Sequence, residues 1–498
     1  MTEFIESNNS LSSKASIISF GQLALSLSHL MAAAFLSYSL SKEDYGVFRQ
    51  VWLVFHTMIP ILTLGLPLSI NYFIPQMKAR DQKALHLQTF LILTLTGFIV
   101  SLLFFFGAPL FSLWFNNPSL TGLFRIFSLV PLLTFPTLYY QNLFVCLNKP
   151  LLAAKLSLMM AAGYLVSIVI PVLLNGSIKE IFISFTAYSF FQLIIVSSLL
   201  FRPFKNIKIQ WSTSLIKKQL IYAVPLGLTA VVGILNKQLD KFVISSFFST
   251  EQFATYINGA FEIPLIGILT GSVTAVLMPE FVRLWYNKDK EAMIKIWHSA
   301  IRKVALILYP VMFFLIAFAP EVLTLLFSSK YLDSTLVFRI YTLGLLMRIT
   351  NFGMVLLSMG LSRIVFRYAL WTFGLNIVLN IVLIKTIGFA GPAIATVAII
   401  FIINYLQLRR IGIEADIPLK RLFPWRNLLE LIFLSFTAAA AVFLLKSLLN
   451  FDKQIFSLIL GGILFCLIFS ILGILAKIVS QKDLRMPFQI LKGIFKNR

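Results

Sequence analysis

An all-α polytopic membrane protein of about 14 transmembrane helices is the fold class the sequence predicts. The expected arrangement is two six-helix lobes related by a pseudo-twofold axis along the membrane normal, with two further C-terminal helices. Three observations predict it: the composition, the alternation of charge between loops, and an internal repeat. Of the 498 residues, 59% are hydrophobic and only 12% charged, with mean hydropathy +0.90. A soluble domain carries roughly 25% charged residues.

Apolar windows long enough to cross a bilayer, which takes about 20 residues, fall at roughly 15–37, 46–72, 87–109, 121–146, 151–174, 178–201, 218–248, 252–281, 297–326, 333–359, 364–386, 389–408, 426–449 and 454–478. The leading segment MTEFIESNNSLSSKAS lacks the basic start of a cleaved signal, so the first window is expected to stay in the mature protein. The loops alternate in charge. MKARDQK, NKP, RPFKNIKIQWSTSLIKK, RLWYNKDKEAMIKIWHSAIRK, SRIVFR and LRRIGIEADIPLKRLFPWR hold most of the 42 Lys and Arg, together with the tail. SKEDYG, FNNPS, NGSIKE, STEQ, SSKYLD, KTIG and NFDKQ hold few. Basic loops mark the cytoplasmic side, so both termini are expected there. Topology thereby accounts for most of the net charge of +23, aided by attraction to anionic lipid heads. Nucleic acid is not an expected partner.

The repeat sets the lobes. LTGLFRIFSLVP at 120–131 lies over STLVFRIYTLGL at 334–345, and SKEDYGVF at 41–48 over STEQFATY at 249–256. Parallel repeats place a substrate between them near the midplane. The expected organisation is a cytoplasmic segment 1–14, an N-lobe 15–201, a basic linker 202–217, a C-lobe 218–408, a loop 409–425, two appended spans over 426–478 and a basic tail 479–498. Prolines 60, 67, 131, 136, 225, 264, 279 and 310 sit in or beside spans, where each can kink a helix.

Six basic residues stand out inside the windows: Arg49, Arg125, Lys237, Lys241, Arg339 and Arg348, with Asp240 and Glu262 as acidic company. Each such charge costs about 2.5–3.5 kcal/mol at a bilayer centre unless paired or wetted. Lys237 and Lys241 share a helix face. They are either a cationic ledge tuned by Asp240 or a salt-bridged cluster, and Lys241 is close enough to the surface to snorkel. Arg348, at mid-span, points to a cavity. Arg49 suits a cavity or an interfacial anchor. Glu262 could pair Lys237 or carry a proton. Arg125 and Arg339 match across the repeat, which favours a structural role. His29 is expected as a packed polar residue. Neither Cys146 and Cys466 nor the four scattered histidines have disulfide or metal-ligand spacing, and no nucleotide-binding loop is present, so no metal and no cofactor are expected.

Several stretches carry a family resemblance. LSKEDYGVFRQVWLVFHTMIPILTLGLPLSINYFIP, LDKFVISSFFSTEQFATYINGA, LLFSSKYLDSTLVFRIYTLGL and NIVLNIVLIKTIGFAGPAIATVAIIF resemble, in register, the bacterial polysaccharide-biosynthesis and O-antigen-type flippases of the multidrug/oligosaccharidyl-lipid/polysaccharide exporter superfamily. The resemblance implies lobes in a V, alternating access, no catalysis, and movement of undecaprenyl-pyrophosphate-linked oligosaccharides across the bacterial inner membrane. Arg49, Lys237, Lys241 and Arg348 would then face the diphosphate, since Lys and Arg suit phosphate oxygens. A coupling ion, H+ or Na+, and glycan polymerase or assembly proteins are further expected partners. A multidrug/cation antiporter of the same superfamily and a non-transporting scaffold of a glycan-assembly complex stand as alternatives.

Overall fold

The computed structural model describes residues 2–207, 212–449, 454–480 and 483. The centre of the basic linker and most of the basic tail lie outside them. Among the described residues the secondary structure is helical throughout, and the chain is a multi-pass membrane protein. Two compact units form, Met1–Ala254 and Thr255–Arg498.

The first unit contains α1 (Thr2–Ser39), α2 (Lys42–Thr63), α3 (Leu66–Phe73), α4 (Ala79–Phe106), α5 (Ala108–Trp114), α6 (Leu120–Phe127), α7 (Leu129–Thr134), α8 (Tyr140–Cys146), α9 (Pro150–Leu173), α10 (Ile178–Phe201) and α11 (Thr213–Phe247). Helix α12 (Thr250–Gly259) crosses the division between the units. The second unit continues with α13 (Pro264–Tyr286), α14 (Lys290–Ala317), α15 (Ala319–Phe327), α16 (Thr335–Leu343), α17 (Phe352–Ser358), α18 (Ser362–Thr386), α19 (Gly391–Ala415), α20 (Leu419–Leu422), α21 (Trp425–Leu449) and α22 (Gln454–Leu475).

Helix occupies each of the 14 expected windows. Among the described residues, eleven stretches are long and apolar enough to cross a bilayer unaided, and the bent pair α2–α3 brings a twelfth. The windows at 252–281 and 333–359 instead hold two helices each, α12 with α13 and α16 with α17. Helical packing recurs in the two halves: α9 lies on α10 as α18 lies on α19, and α4 on α6 as α14 on α16. Outward rows of large apolar side chains, such as Leu95, Phe98, Leu102 and Phe106 on α4, remain exposed. In water such rows would be a liability; in a bilayer they are the lipid-facing surface.

Helix interruptions have local causes. Between α2 and α3 the backbone bends by 42°. Leu64 ends α2 in the left-handed region, Gly65 follows at φ +72°, and Pro67 restarts the helix in its first turn. Helix α13 begins at Pro264, which needs no amide partner there. Helix α17 is started by Asn351, whose side chain accepts the Met354 amide at 3.0 Å.

Helix α11, which the sequence assigns to the second lobe, packs on α2 and α3 and falls within the first unit. The contact depends on glycine. A Cβ at Gly227 would sit 2.3 Å from the Leu64 carbonyl carbon and 2.6 Å from the Gly65 nitrogen, both backbone atoms unable to rotate away. Gly227→Val is therefore expected to lower stability by about 1–3 kcal/mol through overpacking. Gly233→Ala, with nothing within 4 Å of the added carbon, is expected to leave the thermal midpoint unchanged or raised. Equal midpoints for the two variants in detergent would refute the close-approach argument.

In the second unit, α21 packs on α14, and α22 packs on α15 and α21. Lys446 on α21 meets Glu321 on α15 and lies over the Phe318 ring at 5.1 Å. Beyond α22, Asp483 pairs with Arg302 at 3.0 Å. Partial burial pushes the Asp483 carboxyl up, but the Ser480 amide and hydroxyl together with Arg302 hold it below its usual range.

Candidate functional site

The second unit builds a recess where two broken spans meet. Residues 260–263 separate α12 from α13, and a 3-10 turn at 344–346 followed by irregular residues separates α16 from α17. Glu262 lies in the first break and Arg348 in the second. Arg348 Nη2 donates to Glu262 Oε1 at 2.7 Å, and both side chains stay about one-third exposed, at 34% and 29%. Phe261, Ile266, Phe338, Tyr341 and Thr342 also line this small, open pocket, whose cavity volume is about 20 Å3.

The Arg348 break is held from outside. Trp297 Nε1 donates to Thr350 Oγ1 at 2.8 Å, and the Tyr309 hydroxyl donates to the Leu346 carbonyl at 3.3 Å. Both anchors come from α14, whose Trp297 is fully buried. Broken backbone within membrane depth is tolerated where it lines a wet or protein-filled cavity. The expected mid-span position of Arg348 thus coincides with an interruption. With one N–H on Glu262, the guanidinium fork offers further donors toward the recess.

The first unit builds a different cluster. Tyr45, Arg49, Trp52 and His56 fall on one face of α2 by helical spacing. Arg49 Nη1 donates to the Tyr45 hydroxyl at 2.7 Å. His29 from α1 meets this face: its ring is 5.9 Å from His56, edge-on, and 4.2 Å from Tyr164 on α9. Tyr45, Trp52 and Tyr164 are buried, whereas His29, Arg49 and His56 keep accessible surface. His29 thus packs against Tyr164 beside the Arg49 face of α2.

On α11 the three charges differ in setting. Asp240 is fully buried, Lys237 is exposed, and Lys241 is 12% exposed. Lys241 Nζ lies 3.5 Å from Asp240 Oδ1 and donates to the Lys237 carbonyl at 3.0 Å. This Lys241–Asp240 contact joins neighbouring residues of α11.

Arg125 lies over the Phe105 ring at 5.9 Å, and Arg339 Nε donates to the Ile316 carbonyl at 3.0 Å. Phe105 lies in the last turn of α4 and Ile316 in the last turn of α14, which are counterparts in the repeat. Arg125 thus reaches from the last turn of α6, and Arg339 from the middle of α16, to the end of the matching long helix.

Sequence reasoning passed over several buried amides. Gln219 on α11 accepts from Gln88 Nε2 at 2.7 Å and donates to Ser69 Oγ at 2.9 Å and Thr89 Oγ1 at 2.8 Å. Gln50 Nε2 donates to Ser245 Oγ at 2.9 Å, and Asn117 Nδ2 donates to Gln50 Oε1 at 3.2 Å and Thr250 Oγ1 at 3.0 Å. The available signal was uncharged: a glutamine inside an apolar window, which in lipid must find a partner. Glu321, the carboxylate that meets Lys446, was passed over as well.

The family model of polysaccharide biosynthesis proteins matches residues 36–336. An uncharacterized membrane protein of Methanocaldococcus jannaschii is 22% identical over 412 residues, covering 78% of this chain and 80% of that protein. The capsular polysaccharide biosynthesis protein CapF of Staphylococcus aureus is 20% identical over 209 residues, 41% of this chain and 52% of that protein. Among solved structures, the lipid II flippase MurJ in an inward closed conformation superposes with TM-score 0.71 at 17% identity, over 92% of this chain and 98% of that one. An inward-facing multidrug resistance MATE transporter of the MOP superfamily gives 0.64 at 14%, over 81% and 98%. The Vibrio cholerae MATE transporter VcmN gives 0.57 at 14%, over 82% and 98%. At these identities the likeness is one of fold.

Proposed function

The chain belongs to the polysaccharide biosynthesis protein family, and from that premise we propose that it moves polyprenyl-diphosphate-linked oligosaccharides between leaflets by alternating access. The observation that carries the proposal is Arg348, a partly accessible guanidinium in a recess made by two broken spans. A diphosphate headgroup needs cations with open donors in a low-dielectric site, and Arg348 supplies one in the second unit. The sugars need hydrogen bonds, and the lipid tail can remain in the bilayer. No bond is made or broken, so the protein acts as a carrier and not as an enzyme. In this reading the basic loops face the cytoplasm of a bacterial inner membrane, and the headgroup is carried to the opposite face.

Arg348 is not a bare cation, because Glu262 holds it. An arriving diphosphate must compete with that carboxylate, which makes binding and release an exchange between two anions. Glu262 favours a second reading, in which its partly exposed carboxylate binds an organic cation as in a drug antiporter. One experiment separates the two. The protein is reconstituted in vesicles, and leaflet accessibility of a fluorescent polyprenyl-diphosphate oligosaccharide is followed beside efflux of an organic cation. Sugar-lipid movement above protein-free vesicles supports the proposal. Cation efflux with no movement of the sugar lipid refutes it.

A further inference from the structure

Two histidines stand against Arg49 in the first unit, and the carrier reading leaves them without a role. We propose that His29, Arg49 and His56 form a proton-linked diphosphate site, in which arrival of the anion at Arg49 draws protons onto the imidazoles. The inference rests on the reading of the protein as a carrier of diphosphate lipids.

The argument starts from placement. Arg49 and His56 lie two turns apart on α2, on one face. His29 approaches from α1 and packs against Tyr164 at 4.2 Å between centroids, the rings tilted by 50°. Tyr45 fixes Arg49 through a 2.7 Å hydrogen bond, and buried Trp52 and Tyr164 form an apolar floor. The three accessible groups above that floor can present one positive charge or three.

Charge decides between those states. The His29 and His56 rings lie 5.9 Å apart beside the Arg49 face of α2. Three cations in so small a space repel one another. A diphosphate removes that repulsion. It also offers acceptors for both N–H groups of each imidazolium. Anion and protons therefore assist one another, and by linkage each raises the affinity of the other. The remaining titratable groups of the cluster are Tyr45 and Tyr164. Helix α11, which also packs on α2, carries Lys237, Asp240 and Lys241. It meets α2 through Gln50, about 100° around the helix from Arg49.

The test measures binding and proton uptake by the full chain in nanodiscs. The lipid source is represented by farnesyl diphosphate, free anion by inorganic pyrophosphate, and the apolar tail alone by farnesol. Calorimetry near pH 7 in buffers of different ionisation enthalpy gives protons taken up per ligand. The wild type is expected to take up about one to two protons with farnesyl diphosphate, and its Kd to rise about tenfold between roughly pH 6 and pH 8. Uptake near zero and a pH dependence below about threefold are expected for His29→Gln/His56→Gln. The single variants His29→Gln and His56→Gln should each lose part of the uptake. They serve in place of the double variant if it does not fold, as judged by its thermal midpoint. Binding of pyrophosphate with the same uptake would assign the site to the diphosphate alone, whatever its source. Diphosphate binding with unchanged uptake in the histidine variants overturns this inference and leaves the carrier reading standing. Absence of farnesyl diphosphate binding by the wild type at every pH overturns both.

Discussion

Arg348→Leu is expected to reduce movement of the diphosphate-linked sugar by about tenfold to a hundredfold. That range follows from losing one or two charge-assisted hydrogen bonds to phosphate, about 1.5–3 kcal/mol. The same substitution also strands the Glu262 carboxylate in its recess. With 29% of its side chain exposed, Glu262 recovers part of its hydration, so the stability loss is expected near 1–2 kcal/mol and not the larger figure of a fully buried pair. Glu262→Leu added to Arg348→Leu removes both charges and should restore the thermal midpoint. Transport should stay low, because the cation for the phosphates is still missing. The two readouts therefore separate a strut from a ligand contact. A double variant that regains transport along with stability would reduce the pair to a structural tie.

Gln219→Leu is expected to destabilise the first unit by about 1–3 kcal/mol, seen as a lowered thermal midpoint in detergent. Gln219 is fully buried and sits at the centre of three hydrogen bonds. Its loss is not felt equally by its partners. Ser69 Oγ still donates to the Leu66 carbonyl and Thr89 Oγ1 to the Leu85 carbonyl. Gln88, 2% exposed, loses the acceptor at 2.7 Å. Most of the expected penalty is therefore the Gln88 amide left without that partner, and Gln88→Leu/Gln219→Leu should recover much of it. An unchanged midpoint for Gln219→Leu would mean that the amide network does not hold α11 in place.

The fold was legible because its determinants are local. An apolar window declares a span through its own transfer free energy, and basic loops declare a side. The Phe-Arg-Ile pair at 124–126 and 338–340 disclosed the repeat, and Arg125 and Arg339 reach Phe105 and the Ile316 carbonyl on corresponding helices. The candidate site was legible only as a set of misplaced charges. Arg348 and Glu262 were both singled out, but 86 residues of chain separate them. His56, noted only as one of four scattered histidines, acquired a meaning once α1 brought His29 beside it.

By itself, the sequence determined that this chain crosses a membrane many times, that its two halves are built alike, and that a few cations stand where lipid would not tolerate them. Only the tertiary structure decided that Arg348 meets Glu262, that Arg49 shares its surroundings with two imidazoles, and that α11 is fastened to α2 and α3. The physical reason is that burial preference belongs to each residue alone, whereas partnership depends on where helices break and which faces they turn to one another. Those breaks, at 260–263 and 344–351, come from prolines, glycines and caps acting together with helices far away in the chain.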